Sequence, residues 1–251
     1  MCREKRFEII LEYLREHKQI NIETICKICE VSRDTARRDL VSLEEKKLIH
    51  RTRGGAMLPK PNHFVKTYRD RLLEVSEEKK DIGRLAANLI NDGDTLILDT
   101  STTVQFCAEN ISARGCNIIT NSINQADILS NNPDLSIYLL GGRLNSDHKY
   151  LYGQTTIDML NNYTADICFI GVCGISPRGL SIAHEDDGHV MKKMIERSNQ
   201  VILLCDHTKF NKKEFFSFAS LNQIDILVTD QMPTGKLLEA LKNNDIKILI
   251  A

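Results

Sequence analysis

The chain has 251 residues, carries 33 Lys and Arg against 34 Asp and Glu for a net charge of −1, and is 42% hydrophobic and 27% charged. That composition belongs to a soluble globular protein with room for two modest domains, and no apolar run approaches the roughly 18 residues needed to cross a bilayer. The first 20 residues mix charge with apolar residues and lack the continuous apolar core of a secretion signal, so a cytoplasmic protein with no membrane contact is expected.

Phe7, Ile10, Leu11 and Leu14 follow the i, i+3, i+4, i+7 spacing of an amphipathic helix. Asn21 is placed to cap a second helix carrying Ile22, Ile25, Cys26 and Cys29. Glu30, Val31 and Ser32 predict a tight turn, with Ser32 capping a third helix whose inward residues are Ala36, Leu40 and Leu43. Two short helices joined by a brief turn form a helix-turn-helix unit. Cys26-x-x-Cys29 lacks a second ligand pair at zinc spacing and continues the apolar stripe, so packing is expected rather than metal. A redox or metal switch at this pair is the weaker alternative. Of the eight cysteines, Cys107, Cys168 and Cys205 sit in apolar stretches as small hydrophobes, and a disulfide framework is not expected.

On the third helix Ser32, Arg33, Thr35, Arg37 and Arg38 lie at the N-terminal half, away from the inward stripe, which is the end that enters a major groove. Arginine suits that place because its planar fork reaches guanine O6 and N7 together or grips a phosphate. Leu48 to Gly55 reads as a strand and a Gly-Gly turn, a wing from which Arg51 and Arg53 reach backbone phosphate or a minor groove. Charge agrees: residues 1–57 hold 13 Lys and Arg against 10 Asp and Glu, and the remainder 20 against 24. The bland alternative is a solvated helix face, with Arg37 and Arg38 balanced by Asp34, Asp39 and Glu44. V-S-x-x-T-x-R-R-D-L-x-x-L-E at 31–44, followed by R-x-x-G-G-A at 51–56, resembles the N-terminal winged helix of the DeoR-type family of bacterial transcriptional repressors. The family commonly has glycine where this sequence has Lys47.

Residues 58–75 read as a connector, with Pro59, Pro61 and Asn62, and with Phe64 and Tyr68 expected to dock. The domain at 76–251 begins with a helix carrying Ile82, Leu85, Ala86 and Leu89. Short apolar strands then alternate with helices: 95–99, 117–120, 136–140, 167–170, 201–205 and 226–229, with KILIA at the end as a further strand. This predicts an α/β fold with a mostly parallel sheet covered on both faces.

Small and polar residues follow the strands, at the edge where open α/β sheets build ligand crevices. Thr100, Ser101, Thr102 and Thr103 open a helix, where hydroxyls and free N–H groups suit an anion but serve equally as ordinary caps. Lys209 offers a positive charge and Asp206 an acceptor for sugar hydroxyls, though each alone is as readily a loop charge. D-T-S-T-T at 99–103, T-N-S at 120–122, G-G at 141–142, F-I-G-x-x-G-I at 169–175 and D-x-x-K-F at 206–210 resemble the DeoR-type sensor domain, itself similar to ribose-5-phosphate isomerase. The resemblance implies a phosphorylated sugar effector touching Asp99, Thr100, Ser101, Thr102, Thr103, Asn121, Ser122, Gly141, Gly142, Gly171, Asp206 and Lys209, with no cofactor, metal or catalytic residue.

The sequence therefore predicts a homo-oligomeric repressor of a carbohydrate operon, with winged helix 1–57, connector 58–75 and sensor and oligomerisation domain 76–251. Paired helix-turn-helix units read repeated half-sites of double-stranded operator DNA, hence the oligomer. The competing expectation is a sugar-phosphate isomerase with an accessory DNA-binding domain, kept open by Glu185, Asp206 and Lys209. Relatives often have an acidic residue where this chain has Cys173, which counts against it.

Overall fold

A computed structural model describes residues 2–17, 19–46, 48–52, 54–57, 68–73 and 77–251. The chain divides into two units, Met1–Phe64 and Val65–Ala251.

In the first unit α1 (Arg3–His17) buries Phe7, Ile10 and Leu14. After β1 (Gln19–Asn21), helix α2 (Ile22–Cys29) starts where the Asn21 side chain accepts the Thr24 N–H at 2.7 Å. Glu30 ends α2 in the left-handed region at φ 51°, and α3 (Arg33–Glu45) is capped by Ser32 Oγ, which accepts the Thr35 N–H at 3.3 Å. Ala36, Leu40 and Leu43 face inward and join Ile20, Ile25, Cys29 and Ile49 in one core. Cys29 is buried and Cys26 packs against that core, in keeping with the packing role.

The wing is larger than the sequence suggests. β2 (His50–Thr52) and β3 (Gly55–Met57) form the hairpin, and β1 adds a third antiparallel strand in the order β1-β3-β2. Three residues give too little alternation to mark β1 as a strand. Gly54 makes the turn at φ +105°, but Gly55 lies within β3, where a Cβ would fall 2.0 Å from the Ile20 carbonyl oxygen. Arg53 and Lys47 lie outside the described residues.

The second unit opens with α4 (Tyr68–Leu73), inside the stretch expected as connector; the remaining connector residues, with Pro59, Pro61, Asn62 and Phe64, lie outside the described set. Tyr68 is buried, its N–H donates to the Asp147 carbonyl at 3.1 Å, and its hydroxyl donates to Gln105. There follow α5 (Glu77–Ala87), β4 (Thr95–Leu98), α6 (Thr102–Glu109), β5 (Asn117–Thr120), α7 (Ile123–Leu129) and β6 (Ser136–Leu139). A hairpin, β7 (Arg143–Asn145) with β8 (Tyr150–Tyr152), leads to α8 (Gln154–Leu160) and β9 (Ala165–Ile170). The chain then gives β10 (Gly174–Ser176), β11 (Gly179–Ile182), α9 (Glu185–Glu196), β12 (Ser198–Leu204), β13 (Phe216–Ala219), β14 (Ile226–Thr229), α10 (Gly235–Asn243) and β15 (Lys247–Ile250).

Seven of these strands form one parallel sheet in the order β15-β14-β12-β9-β4-β5-β6. Alternate residues of each central strand feed two cores, Ile97, Cys168 and Leu203 on one face and Leu98, Phe169 and Leu204 on the other. The expectation of strands covered on both faces fails at β6, where Tyr138 and Leu139 are each 42% exposed, because β6 is the sheet edge. β10, β11 and β13 make a small antiparallel sheet that the sequence did not announce. Strand order reverses between β4 and β9, which start the two halves of the sheet in opposite directions. That is the switch point, where open α/β folds place ligands beyond the strand carboxyl ends.

Candidate nucleic-acid interface and ligand pocket

On α3 the side chains of Arg33, Arg37 and Arg38 are exposed. Arg33 meets Glu23 at 2.9 Å, Arg37 meets Asp34 at 4.0 Å and Arg51 meets Glu44 at 3.7 Å. All these partners are at least 43% exposed, and exposed ion pairs contribute about 0–1 kcal/mol, so the arginines can exchange them for phosphate or base edges. Ser32 is committed to its cap and its hydroxyl lies 3.0 Å from that of Thr35.

Asp39 does not balance Arg37 and Arg38, as the bland alternative required. It is 2% exposed and held by Arg6 in a fork, Nε to Oδ2 at 2.7 Å and Nη2 to Oδ1 at 3.0 Å, with Arg3 at 3.8 Å. This bond ties α1 to α3 and subtracts one negative charge from the exposed face of α3, leaving it more basic than a residue count suggests.

At the switch point a small cavity of about 40 Å³ is lined by Asp99, Thr100 and Ser101 after β4 and by Gly171, Val172 and Cys173 after β9. Asp99 bridges the two loops, accepting the Ser101 N–H at 2.8 Å and the Gly171 N–H at 2.7 Å. Burial pushes its carboxyl up, and those two N–H groups oppose the shift. A Cβ on Gly171 would lie 2.4 Å from Ser101 Oγ, so the loops meet only because glycine stands there. Ser101 caps α6 through the Val104 N–H at 3.1 Å. The N–H groups of Thr102 and Thr103, in the first turn of α6, find no acceptor among the described residues.

The DeoR-like helix-turn-helix domain matches residues 6–62, and the DeoR C terminal sensor domain matches residues 74–231. The chain belongs to the DeoR family of transcriptional repressors. It is 51% identical to the transcriptional repressor GlcR of Bacillus subtilis, across 100% of this chain and 97% of that one. It is 32% identical to the glycerol-3-phosphate regulon repressor of Escherichia coli K12, across 99% of each. Among solved structures, ribose 5-phosphate isomerase A of Neisseria gonorrhoeae overlaps with 53% of this chain and 52% of its own, at 12% identity and a TM-score of 0.40. The translation initiation factor eIF-2B of Pyrococcus horikoshii overlaps with 84% and 74%, at 14% identity and a TM-score of 0.40.

This DeoR-family sensor distributes the residues expected around its effector unevenly. Asp99, Thr100, Ser101 and Gly171 line the cavity; Thr102 and Thr103, which open α6, are buried and do not line it. Asn121, Ser122, Gly141, Gly142, Asp206 and Lys209 do not line it. Asn121 donates to the Leu151 carbonyl at 2.8 Å, and Ser122 caps α7 through the Gln125 N–H at 3.3 Å. Gly141 accepts from the Thr156 hydroxyl at 2.7 Å, and Gly142, at φ +151°, leaves no room for a Cβ beside Thr156. Asp206 caps the turn at His207–Lys209, accepting from the Thr208 N–H at 2.9 Å and from its hydroxyl. Of the groups that an isomerase would need, Glu185, Asp206 and Lys209, none lines the cavity, and the family's members named above are repressors.

The cavity wall includes residues the sequence did not single out: Arg71, His148, Tyr150, Ile182, Ala183, His184 and Asp187. Arg71, from α4, has a buried Nε with no hydrogen-bond partner among the described residues, and its guanidinium stands 5.7 Å from the Tyr68 ring. The His148 and His184 rings are 5.2 Å apart. Burial, then Arg71 and His184, push His148 down to about 4, so its imidazole is neutral at pH 7. Burial pushes the Tyr150 phenol and the Cys173 thiol up, so neither is ionised there. Arg71 falls in the stretch read as connector, and Asp187 belongs to no motif that the sequence analysis used.

Proposed function

We propose that this repressor grips operator DNA with α3 and the wing, as a homo-oligomer in the cytoplasm, and is released when a phosphorylated sugar enters the switch-point cavity. Arg33, Thr35, Arg37 and Arg38 present the reading face, Ser32 caps the helix that carries it, and Arg51 and Arg53 are the wing contacts. The observation that carries the effector's chemistry is Arg71: a buried Nε with no hydrogen-bond partner among the described residues, at a cavity that Ser101, the cap of α6, also lines. A guanidinium facing the hydroxyls of Thr100 and Ser101 across one cavity favours a small anion, phosphate above all. Thr100, Ser101, Thr102 and Thr103 are the partners on the α6 side.

The cavity as it stands holds about three waters, less than a sugar phosphate, so occupation requires it to open. A ligand that binds only the open arrangement shifts the population toward it, and the shift reaches DNA affinity as far as the two arrangements differ there.

A thermal-shift screen of hexose, pentose and triose phosphates against their unphosphorylated parents tests this reading. A phosphorylated compound at about 100 times its Kd adds about 2.7 kcal/mol to the sensor's stability, which is several degrees. The parents are expected to give none. Arg71→Gln removes the charge-assisted bonds and is expected to weaken the best compound by roughly 10- to 100-fold. Equal shifts with parent sugars, or an Arg71→Gln protein that binds as well as wild type, would contradict the proposal.

A further inference from the structure

Helix α9 begins with three acids, Glu185, Asp186 and Asp187. The first two are exposed, and Glu185 meets His189 at 3.5 Å. Asp187 is different: it is 7% exposed and lines the switch-point cavity. No donor among the described residues reaches its carboxyl, and Arg71, on the same cavity, is not within ion-pairing distance. A buried carboxyl that the protein leaves without hydrogen bonds costs stability and calls for a partner from outside.

The surroundings say which kind of partner. The groups that share the cavity with Asp187 are Arg71 of α4, Asp99 after β4, Cys173 after β9, His148 and Tyr150 of the β7–β8 hairpin, and His184 before α9. Both Asp99 oxygens already hold backbone N–H groups, so of the two carboxylates on the cavity Asp187 is the one left open as an acceptor. An anion is repelled by Asp187 and drawn to Arg71. A neutral donor is what the Asp187 carboxylate takes, and a sugar supplies it as hydroxyl.

We propose that Asp187 reads a hydroxyl of the effector, so that the cavity selects a phosphorylated polyol over other small phosphates. This rests on the anion reading of Arg71 given above and adds the second point of recognition. Hydrogen bonds to a charged group are among the stronger ones, and the bare carboxylate is able to take two hydroxyls of a vicinal diol.

The same contact makes effector binding sensitive to pH. Burial, then Asp99, push the free carboxyl up to about 7, with Arg71 opposing. A hydroxyl donates only to the ionised form fully, so the complex titrates lower than the free protein, and binding expels a proton. Affinity therefore rises from pH 6 to pH 8 by about tenfold through Asp187 and levels off above. The ligand's own phosphate titrates near 6 and adds to the slope, which is why the variant is needed.

The test is calorimetric titration of the full-length protein and of Asp187→Asn with glucose 6-phosphate, ribose 5-phosphate, glycerol 3-phosphate and inorganic phosphate, at pH 6 and pH 8. Asparagine removes the charge and keeps the shape. The unliganded variant is expected to melt no lower than wild type at pH 8. The raised carboxyl gives stability that is lost as pH climbs through about 7, and the amide has no such loss. The best polyol phosphate is expected to weaken at least tenfold at pH 8 in the variant, with inorganic phosphate bound no more weakly than by wild type, because the repelling charge is gone, and a flatter pH dependence for the polyol phosphate. Equal weakening of all probes, no weakening of any, or an unchanged pH slope overturns the role of Asp187 while leaving Arg71 as the anion contact. Wild-type protein that binds none of the four overturns the anion reading as well.

Discussion

Replacing Asp39 with alanine is expected to lower the melting midpoint of the winged-helix unit by roughly 10 °C or more. Asp39 is almost fully buried, and both its oxygens accept from the Arg6 guanidinium in a two-point fork. Alanine takes both bonds of the fork away from that guanidinium, which is only 12% exposed. Losing one member of such a pair is far more damaging than losing an exposed one, because the remaining charge keeps its desolvation and loses the fork that offset it. Asp39→Asn keeps the shape and one acceptor and should fall between the two. Thermal unfolding of the full chain, followed by circular dichroism, separates the winged-helix transition from that of the sensor. An alanine variant that melts with wild type would show that the fork does not hold α1 to α3.

Arg37→Ala combined with Arg38→Ala is expected to do the opposite: leave stability intact and lower operator affinity by about 100-fold or more. Neither residue is buried, and the Asp34 contact of Arg37 is a long, exposed one at 4.0 Å. A two-pronged arginine contact to guanine supports about 1–3 kcal/mol of discrimination, so two lost contacts multiply to this range. If the pair holds phosphates instead, the slope of log affinity against log salt should fall by about 0.9 for each contact removed. Fluorescence anisotropy from 50 to 200 mM salt, on a duplex selected by the full-length protein from a random pool, distinguishes the two. Unchanged affinity together with an unchanged slope would mean that α3 is not the DNA-reading element.

Features whose chemistry is local were legible in the sequence. Asn21 and Ser32 cap their helices because a short acceptor before an apolar stripe has few other uses, and Ala36, Leu40 and Leu43 face inward by spacing alone. The strands of the main sheet were visible as apolar runs, and their carboxyl ends as polar loops. Their order in space was not, because parallel pairing joins residues far apart in the chain, as with Leu98 and Phe169. The site was therefore drawn from every strand end at once, taking in Asp206 and Gly142, although only the loops after β4 and β9 flank the reversal. Arg71, His148 and Asp187 come from a connector helix, a hairpin and a helix start, so nothing in linear spacing joins them. Asp39 illustrates the converse: on paper it neutralises its neighbours, and in the fold it answers Arg6, 33 positions earlier.

The most direct test of the whole account is the affinity of full-length protein for its selected duplex, measured as the best phosphorylated polyol is titrated in, for wild type and Arg71→Gln. With no ligand the two proteins should bind DNA equally, since Arg71 belongs to the sensor cavity. At saturation, wild type should lose at least about tenfold in affinity, a coupling of about 1.4 kcal/mol, and the variant should not respond. Wild-type DNA affinity that stays the same at saturating ligand would contradict the claim that this cavity governs the grip of α3 on DNA.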